Sequence, residues 1–116
     1  MGKILVVDDE PKNCMLMEAF LKRCPQKPLT KSCYSGTEAI ALVSSWKPDM
    51  VFIDLHMPGM DGIDAIKGIR AQGFTGKIVI VTADYRSENA RLGAKAGANG
   101  FLAKPVDGKS ICNTLE

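Results

Sequence analysis

The chain has 116 residues, of which 46% are hydrophobic and 24% are charged, and it carries a net charge of +2. This is the size and composition of one ordinary globular domain, and the charge is too small to indicate binding to nucleic acid or membrane. The apolar runs fall far short of the roughly 20 residues that span a bilayer. A predicted strand begins at Lys3, which leaves no room for a secretory signal, so we expect a cytoplasmic protein.

Four cysteines are present, at positions Cys14, Cys24, Cys33 and Cys112. None forms a C-x-x-C pair, and a single histidine is too few for an ordinary zinc site. We therefore expect four unpaired and mostly buried thiols in a reducing cytosol.

Strand-length apolar runs alternate along the chain with segments of helical period. The runs are Ile4–Val7, about Leu29–Cys33, Met50–Ile53, Ile78–Val81 and Phe101–Leu102. Three of them are nearly continuous in valine, isoleucine and leucine, as is typical of strands buried on both faces. The alternation predicts an α/β fold with a single parallel sheet and helices on both of its faces.

Five helices are expected between and after these runs. They extend from Pro11 to about Arg23, from a cap at Ser35 to about Ser45, from a cap at Asp61 to near Gly73, from Tyr85 to Lys95, and onward from Asp107. Leu16 and Phe20 lie on one face of the first helix. Small residues in the fourth allow it to approach the sheet closely. The fifth is short, which is typical of a frayed end or of a domain cut from a longer protein.

Polar side chains follow four of the five apolar runs. Asp8 and Asp9 follow the first, Asp54 the third, Thr82 the fourth and Lys104 the fifth. The carboxyl ends of parallel strands meet at one edge of a sheet, where such folds bind their ligands. Each residue alone also has a structural explanation, as a helix cap, a turn residue or a solvated loop residue. All five together, at the ends of four strands, predict a functional crevice.

The three carboxylates of this set predict a magnesium site. Mg²⁺ prefers hard oxygen ligands, and three carboxylates brought together without a cation would repel one another. The backbone carbonyl of His56, two residues after Asp54, is a further candidate ligand. Its side chain is more typical of a turn residue than of a catalytic base.

A phosphoryl group is the substrate that fits the remaining residues. Asp54 is the candidate nucleophile, because carboxylates form aspartyl-phosphates in known enzymes. The Lys104 ammonium would neutralise one phosphoryl oxygen, and the Thr82 hydroxyl would donate to another. Pro105 is a candidate for a cis peptide bond, which would aim Lys104 back over the strand ends.

The chain resembles the receiver domain of two-component response regulators over essentially its whole length. The resemblance rests on four segments that stand in the family's order and spacing. They are Ile4–Glu10, Asp54 with Met57–Gly62, Thr82-Ala83 and Phe101–Pro105. It implies a flavodoxin-like (βα)5 fold with the strand order 2-1-3-4-5.

The resemblance also implies roles for the site residues. Asp54 would take a phosphoryl group from a phosphohistidine of a sensor histidine kinase or a histidine phosphotransfer protein. Asp9, Asp54 and the His56 carbonyl would bind Mg²⁺ directly, with Asp8 assisting. The domain would catalyse its own phosphorylation and dephosphorylation without being an enzyme in the usual sense, and no direct contact with nucleic acid or membrane is expected.

A switch and an output surface follow from the same resemblance. Thr82 would move toward the phosphoryl group, and an aromatic side chain, here Phe101, would reorient with it. The fourth helix, fifth strand and fifth helix would form the output surface, whose basic side chains we interpret as solvated helix charges. His56 and Asp84 stand at positions that influence dephosphorylation in this family, so the phosphoryl lifetime stays open.

Two other functions are compatible with parts of this pattern. A degenerate receiver would act as a binding module without phosphorylation, but all five site residues are retained. A phosphatase of the haloacid dehalogenase type would also use an aspartyl-phosphate, yet it requires a second aspartate where His56 stands. The output partner, and whether the domain stands alone or belongs to a longer regulator or hybrid kinase, are not evident from the sequence.

Overall fold

Alternating strands and helices make up the computed structural model, which describes residues 2–84 and 86–116. Within these residues the strands are β1 (Lys3–Val7), β2 (Leu29–Cys33), β3 (Met50–Ile53), β4 (Lys77–Thr82) and β5 (Gly100–Ala103). The helices are α1 (Pro11–Lys22), α2 (Gly36–Trp46), α3 (Gly62–Ala71), α4 (Ser87–Ala96) and α5 (Gly108–Thr114). Each predicted element is present, with bounds that differ by at most two residues.

The strands form one parallel sheet in the order β2-β1-β3-β4-β5. This confirms the predicted fold and strand order. β1, β3 and β4 occupy the centre of the sheet and are almost wholly buried, which explains their continuous apolar sequences. The edge strand β2 is instead partly exposed along most of its length.

Two apolar clusters lie on opposite faces of the sheet, because successive strand residues point to opposite sides. Leu5 and Val51 pack on the face that α2 and α3 cover, together with Ile66. The other face carries α1 and α5, where Phe52 packs with Ile111. All five of these residues are at most 1% exposed.

The buried face of α1 is formed by residues other than the Leu16 and Phe20 pair that the sequence places on one side of the helix. Its buried residues are Cys14, Met17 and Leu21, whereas Leu16 is 51% exposed. Phe20 is only partly buried and packs against Gly108 of α5. The i, i+4 spacing of Leu16 and Phe20 places them on one side of the helix, but it does not determine which side meets the sheet.

Two helix caps follow the sequence signals. Ser35 accepts a hydrogen bond from the amide of Glu38 at 3.2 Å, and Asp61 accepts one from the amide of Asp64 at 2.9 Å. The Glu38 carboxylate accepts a hydrogen bond from the amide of Tyr34. In a capping box it would accept from the amide of the N-cap residue itself, Ser35. The predicted start of the fourth helix, Tyr85, lies outside the described residues.

Cys24 and Cys112 form a disulfide bond that links the end of α1 to α5. The prediction of four unpaired thiols is therefore wrong for this pair, while Cys14 and Cys33 are free and buried. The sequence did not indicate the bond, because the packing of α1 on α5 brings together two residues that are 88 positions apart.

Membrane-spanning character is not found among the described helices. The longest of them, α1, has 12 residues, and none combines the length and the apolar character needed to cross a bilayer.

Candidate functional site

The predicted site residues gather at the carboxyl edge of the sheet because the backbone pairing continues past the strand ends. The amide of Asp54 donates to the carbonyl of Val7 at 3.0 Å. In the same way, the amide of Lys104 donates to the carbonyl of Thr82 at 2.9 Å. These bonds hold the first residue after each strand in register with its neighbour, so the functional side chains extend from a rigid frame.

A hydrogen-bonded ion pair network lies at the centre of the crevice. The Lys104 ammonium donates to Oδ2 of Asp8 at 2.8 Å and to Oδ2 of Asp54 at 2.9 Å. Both carboxylates are buried. Burial lowers the pKa of Lys104, but its hydrogen bonds to the two aspartates outweigh that effect and hold the pKa above its ordinary value. The ammonium therefore remains charged at neutral pH.

Asp9 completes a cluster of three carboxylates. Asp8, Asp9 and Asp54 each offer one oxygen, and these oxygens lie within 4.8 Å of one another. A donor set made only of carboxylate oxygens, held this closely at a ligand-binding edge, fits a hard divalent cation such as Mg²⁺. Oδ1 of Asp8 also accepts a hydrogen bond from the amide of Glu10 at 2.9 Å, which holds that side chain in place.

The loop after Asp54 packs tightly against the start of α3. The amide of Gly62 donates to the carbonyl of Leu55 at 2.7 Å. A Cβ atom at Gly62 would lie 2.3 Å from the carbonyl oxygen of Asp54 and 2.7 Å from Cα of Leu55. Only glycine fits there, which gives this residue a function in positioning Asp54 that the sequence pattern did not reveal.

Thr82 ends β4 and is 1% exposed. Its hydroxyl oxygen accepts a hydrogen bond from the amide of Asp84 at 3.3 Å, so the hydroxyl is tied to the loop that follows. Phe101 pairs with Ile80 in the ladder between β4 and β5 and packs, partly buried, against the core. The peptide bond between Lys104 and Pro105 is cis, as the sequence allowed.

A polar contact that the sequence did not predict spans the mouth of the crevice. Nε2 of His56 lies 2.7 Å from Oδ2 of Asp84, which joins the loop after β3 to the loop after β4. Arg86 donates two further hydrogen bonds of 2.8 Å to the same carboxylate. These bonds from Arg86, and then the one from His56, hold the pKa of Asp84 well below its usual range.

An apolar cleft of about 330 Å³ lies beside the carboxylates. Its lining includes Leu16 and Met17 of α1, Pro105 and Val106 of the loop before α5, and Asp54 itself. No sequence signal indicated this cleft, because only the fold shows that Leu16 is exposed and stands next to the acidic site.

Acidic residues, a buried threonine and a lysine around a central aspartate on a five-stranded parallel sheet define the class of phosphoacceptor signalling domains. The chain matches the family model "Response regulator receiver domain" over residues 4–116, and it belongs to this family.

Individual relatives agree with this assignment. The chain is 36% identical over 118 residues to the sensory/regulatory protein RpfC of Xanthomonas campestris pv. campestris, covering 97% of this chain and 16% of that protein. It is 32% identical over 117 residues to protein PilH of Pseudomonas aeruginosa, covering 99% and 95% of the two chains. The chain thus spans a small part of one relative and nearly all of another.

A solved structure shows the same architecture. The chemotaxis protein CheY4 of Vibrio cholerae superposes with a TM-score of 0.91 at 27% identity, covering 99% of this chain and 96% of that one.

Proposed function

We propose that Asp54 accepts a phosphoryl group, in a Mg²⁺-dependent reaction, from a phosphohistidine of a sensor histidine kinase or a histidine phosphotransfer protein. The observation that carries the proposal is the pair of hydrogen bonds from Lys104 to Asp8 and Asp54. They place one ammonium between the candidate acceptor and a candidate metal ligand, at the edge of the sheet where such folds bind ligands.

The transfer needs little covalent chemistry from the protein. A carboxylate oxygen of Asp54 attacks phosphorus, the bond between phosphorus and the imidazole nitrogen of the donor breaks, and that nitrogen keeps the electron pair. Lys104 and Thr82 would then hold oxygens of the phosphoryl group. The domain would thereby catalyse its own phosphorylation. In its dephosphorylation, water would attack the phosphorus, the bond between phosphorus and the Asp54 oxygen would break, and inorganic phosphate would leave with the carboxylate restored.

Asp8, Asp9 and Asp54, with the backbone carbonyl of His56, would hold the magnesium ion. The ion supplies charge neutralisation for the phosphoryl oxygens during transfer. The protein contributes the arrangement that makes this possible: Asp8 is held by the amide of Glu10, and Oδ1 of Asp54 accepts from the amide of His56 at 3.3 Å. Side chains fixed in this way need little rearrangement when charge develops.

The cleft beside Asp54 supports a protein as the phosphodonor. Leu16 of α1 lines the cleft and is 51% exposed. Its neighbour Met15 is 71% exposed. A partner that presents its phosphohistidine from a helix would bury these apolar side chains while reaching Asp54.

The output of the switch would be a population shift in the surface formed by α4, β5 and α5. A phosphoryl group adds about two negative charges next to Thr82 and Lys104, which can bias a bistable loop. Thr82 is tied to Asp84 in the loop before α4, and Phe101 lies on β5 beside Ile80. These contacts link the site to the surface through the β4–α4 loop and the last strand.

Residues 1–116 would thus be one receiver domain, either acting alone or as part of a longer protein. Both arrangements occur among the relatives, since the chain spans 95% of PilH and 16% of RpfC. A cytoplasmic location goes with the proposal, because the phosphoryl groups of histidine kinases come from ATP.

Intact mass measurement after incubation with Mg²⁺ and acetyl phosphate tests the proposal. We expect one phosphoryl adduct that is stable in acid and labile in base, and that is absent from Asp54→Asn and from samples without Mg²⁺. Asp64→Asn, an exposed carboxylate of α3, is the matched control and should retain the adduct.

Two results would contradict the proposal. No adduct on a folded chain would favour a binding module that acts without phosphorylation. Catalytic consumption of acetyl phosphate without an adduct would favour a phosphatase.

A further inference from the structure

The Cys24–Cys112 disulfide lies at the opposite end of the sheet from the carboxylates. α1 and α5 start at the carboxyl edge of the sheet and run back beneath it, so their ends meet at the amino edge. Lys77, the first residue of β4, shows this directly, because its ammonium donates to the carbonyl of Thr114 at 2.6 Å. A change at the disulfide would therefore act on α5 without touching Asp54.

Few other contacts hold α5 in place. It has seven residues, and Ile111 is its only buried side chain. A helix of this length is not stable by itself in water, so its structure depends on tertiary anchors. Besides Ile111, these anchors include the partly buried Leu115 at the helix end, the contact of Gly108 with Phe20, and the bond from Lys77 to the carbonyl of Thr114. The disulfide is the one covalent anchor that the described residues provide.

The two remaining cysteines differ from this pair in their chemistry. Burial raises the pKa of the Cys14 thiol to about 11 and that of the Cys33 thiol to about 12. Thiols exchange as thiolates, so both are inert near neutral pH. In the disulfide, Cys24 is fully buried and Cys112 is partly exposed on α5, so an attacking thiolate would approach from the Cys112 side.

We propose that Cys24–Cys112 is a thiol–disulfide exchange site whose reduction loosens α5, giving the domain a redox input that is separate from Asp54. The reductant is a dithiol. One of its thiolates attacks Sγ of Cys112, forming a mixed disulfide, and Cys24 leaves as a thiolate and takes up a proton. The second thiolate of the reductant then attacks the reductant's first sulfur, the one bonded to Cys112 in the mixed disulfide. Cys112 leaves as a thiolate, and the reductant becomes a disulfide, oxidised by two electrons.

The consequence is a change in the order of α5. Cys24 and Cys112 are 88 positions apart, so the bond closes a loop of most of the chain. Once it is broken, the short helix depends on Ile111 and on weaker noncovalent anchors, and it opens more often. α5 belongs to the surface that the proposed phosphorylation switch would alter, so the two inputs would meet there.

Thiol counting in defined redox buffers tests the first part of the proposal. The chain is equilibrated in glutathione and dithiothreitol buffers of stepped reducing strength, quenched in acid, unfolded and alkylated, and its mass is measured. We expect two modified cysteines at the oxidising end, four at the reducing end, and a midpoint within the glutathione series. Two throughout would show a permanent cross-link, four throughout would show no cross-link, and either result would overturn the proposal.

Hydrogen–deuterium exchange tests the second part. On reduction, exchange in residues 108–114 should rise about tenfold or more, while α3 is unchanged. Cys112→Ser should exchange like the reduced chain in both buffers, and Cys14→Ala should keep the redox response. Asp54→Asn should keep it too, which separates this proposal from the phosphoacceptor function. Equal exchange of α5 in the oxidised and reduced chains would overturn the inference.

Discussion

The ammonium nitrogen of Lys104 lies 2.9 Å from Oδ2 of Asp54, although the two residues are 50 positions apart. The same nitrogen lies 2.8 Å from Oδ2 of Asp8. One cation thus neutralises part of a cluster of three carboxylates, two of them buried, while it holds one oxygen of the candidate acceptor. Because these charges share a small, poorly solvated space, a change in any one of them alters both metal binding and phosphorylation.

Removing the lysine charge should affect these two properties in opposite directions. Lys104→Met should bind Mg²⁺ more tightly, by about 1 kcal/mol or roughly fivefold in Kd, because a competing positive charge is gone. Its phosphorylation by acetyl phosphate should fall by about a hundredfold, since an oxyanion partner is lost.

Isothermal titration calorimetry and intact mass would measure the two effects. Lys109→Met, an exposed lysine of α5, is the matched control and should change neither. An unchanged Mg²⁺ affinity in Lys104→Met would show that the ammonium does not repel the cation.

Gly62→Ala should destabilise the fold by about 1–3 kcal/mol, because its Cβ would collide with the backbone of Asp54 and Leu55. Backbone atoms cannot move aside as a side-chain end can, so the acceptor loop should shift as well. Urea unfolding would measure the loss. Gly100→Ala is the control, because a Cβ atom there would lie 3.4 Å from Cγ2 of Val79, an ordinary contact distance. The stability of this variant should stay within about 0.5 kcal/mol of the parent.

The His56–Asp84 contact should lengthen the lifetime of a phosphoryl group on Asp54. It joins two loops over the site, so His56→Ala should admit water and shorten the half-life severalfold. The backbone carbonyl, the proposed metal ligand, stays in this variant.

Asp84→Ala should have a similar effect, and the double variant should be little worse than the more severe single one, because both changes break the same contact. The half-life after removal of acetyl phosphate would be followed by mass, with exposed Glu88→Ala as the control. Effects that add fully would show that the two residues act separately.

Alkaline pH should destabilise the protein through its two buried thiols. Their pKa values of about 11 for Cys14 and about 12 for Cys33 lie above the ordinary value of 9.0, so the folded state keeps protons that the unfolded state loses. Their contribution to stability is complete below about pH 9 and is lost as the pH rises through 11 and 12, by up to about 1.4 kcal/mol per pH unit for each thiol.

The free energy of unfolding between pH 8 and 11 would measure this loss. A Cys14→Ala/Cys33→Ala variant is less stable at pH 8, but its stability should fall less steeply with pH. Equal slopes in the two proteins would mean that the thiols ionise in the folded state as readily as in the unfolded state.

Local sequence signals were sufficient to predict the elements along the chain and the side chains that meet at the carboxyl edge of the sheet, whereas the strand order came from the resemblance to the receiver family. Continuous valine and isoleucine runs indicate strands buried on both faces, and the polar residues directly after them must meet at the carboxyl edge of a parallel sheet. The sequence alone therefore assigns Asp54 and Lys104 to one crevice. The capping side chains of Ser35 and Asp61 act within one helical turn, so their sequence signals were also sufficient.

Contacts between distant parts of the chain were decided by tertiary packing alone. The Cys24–Cys112 bond depends on how α1 lies on α5, and no spacing in the sequence reports that. The exposure of Leu16 depends on the rotation of α1 about its axis, which the i, i+4 spacing of Leu16 and Phe20 leaves open. His56 meets Asp84 because two loops converge over the site. Periodicity reports which side chains share a face, whereas the partner of that face is set by the packing of the whole chain.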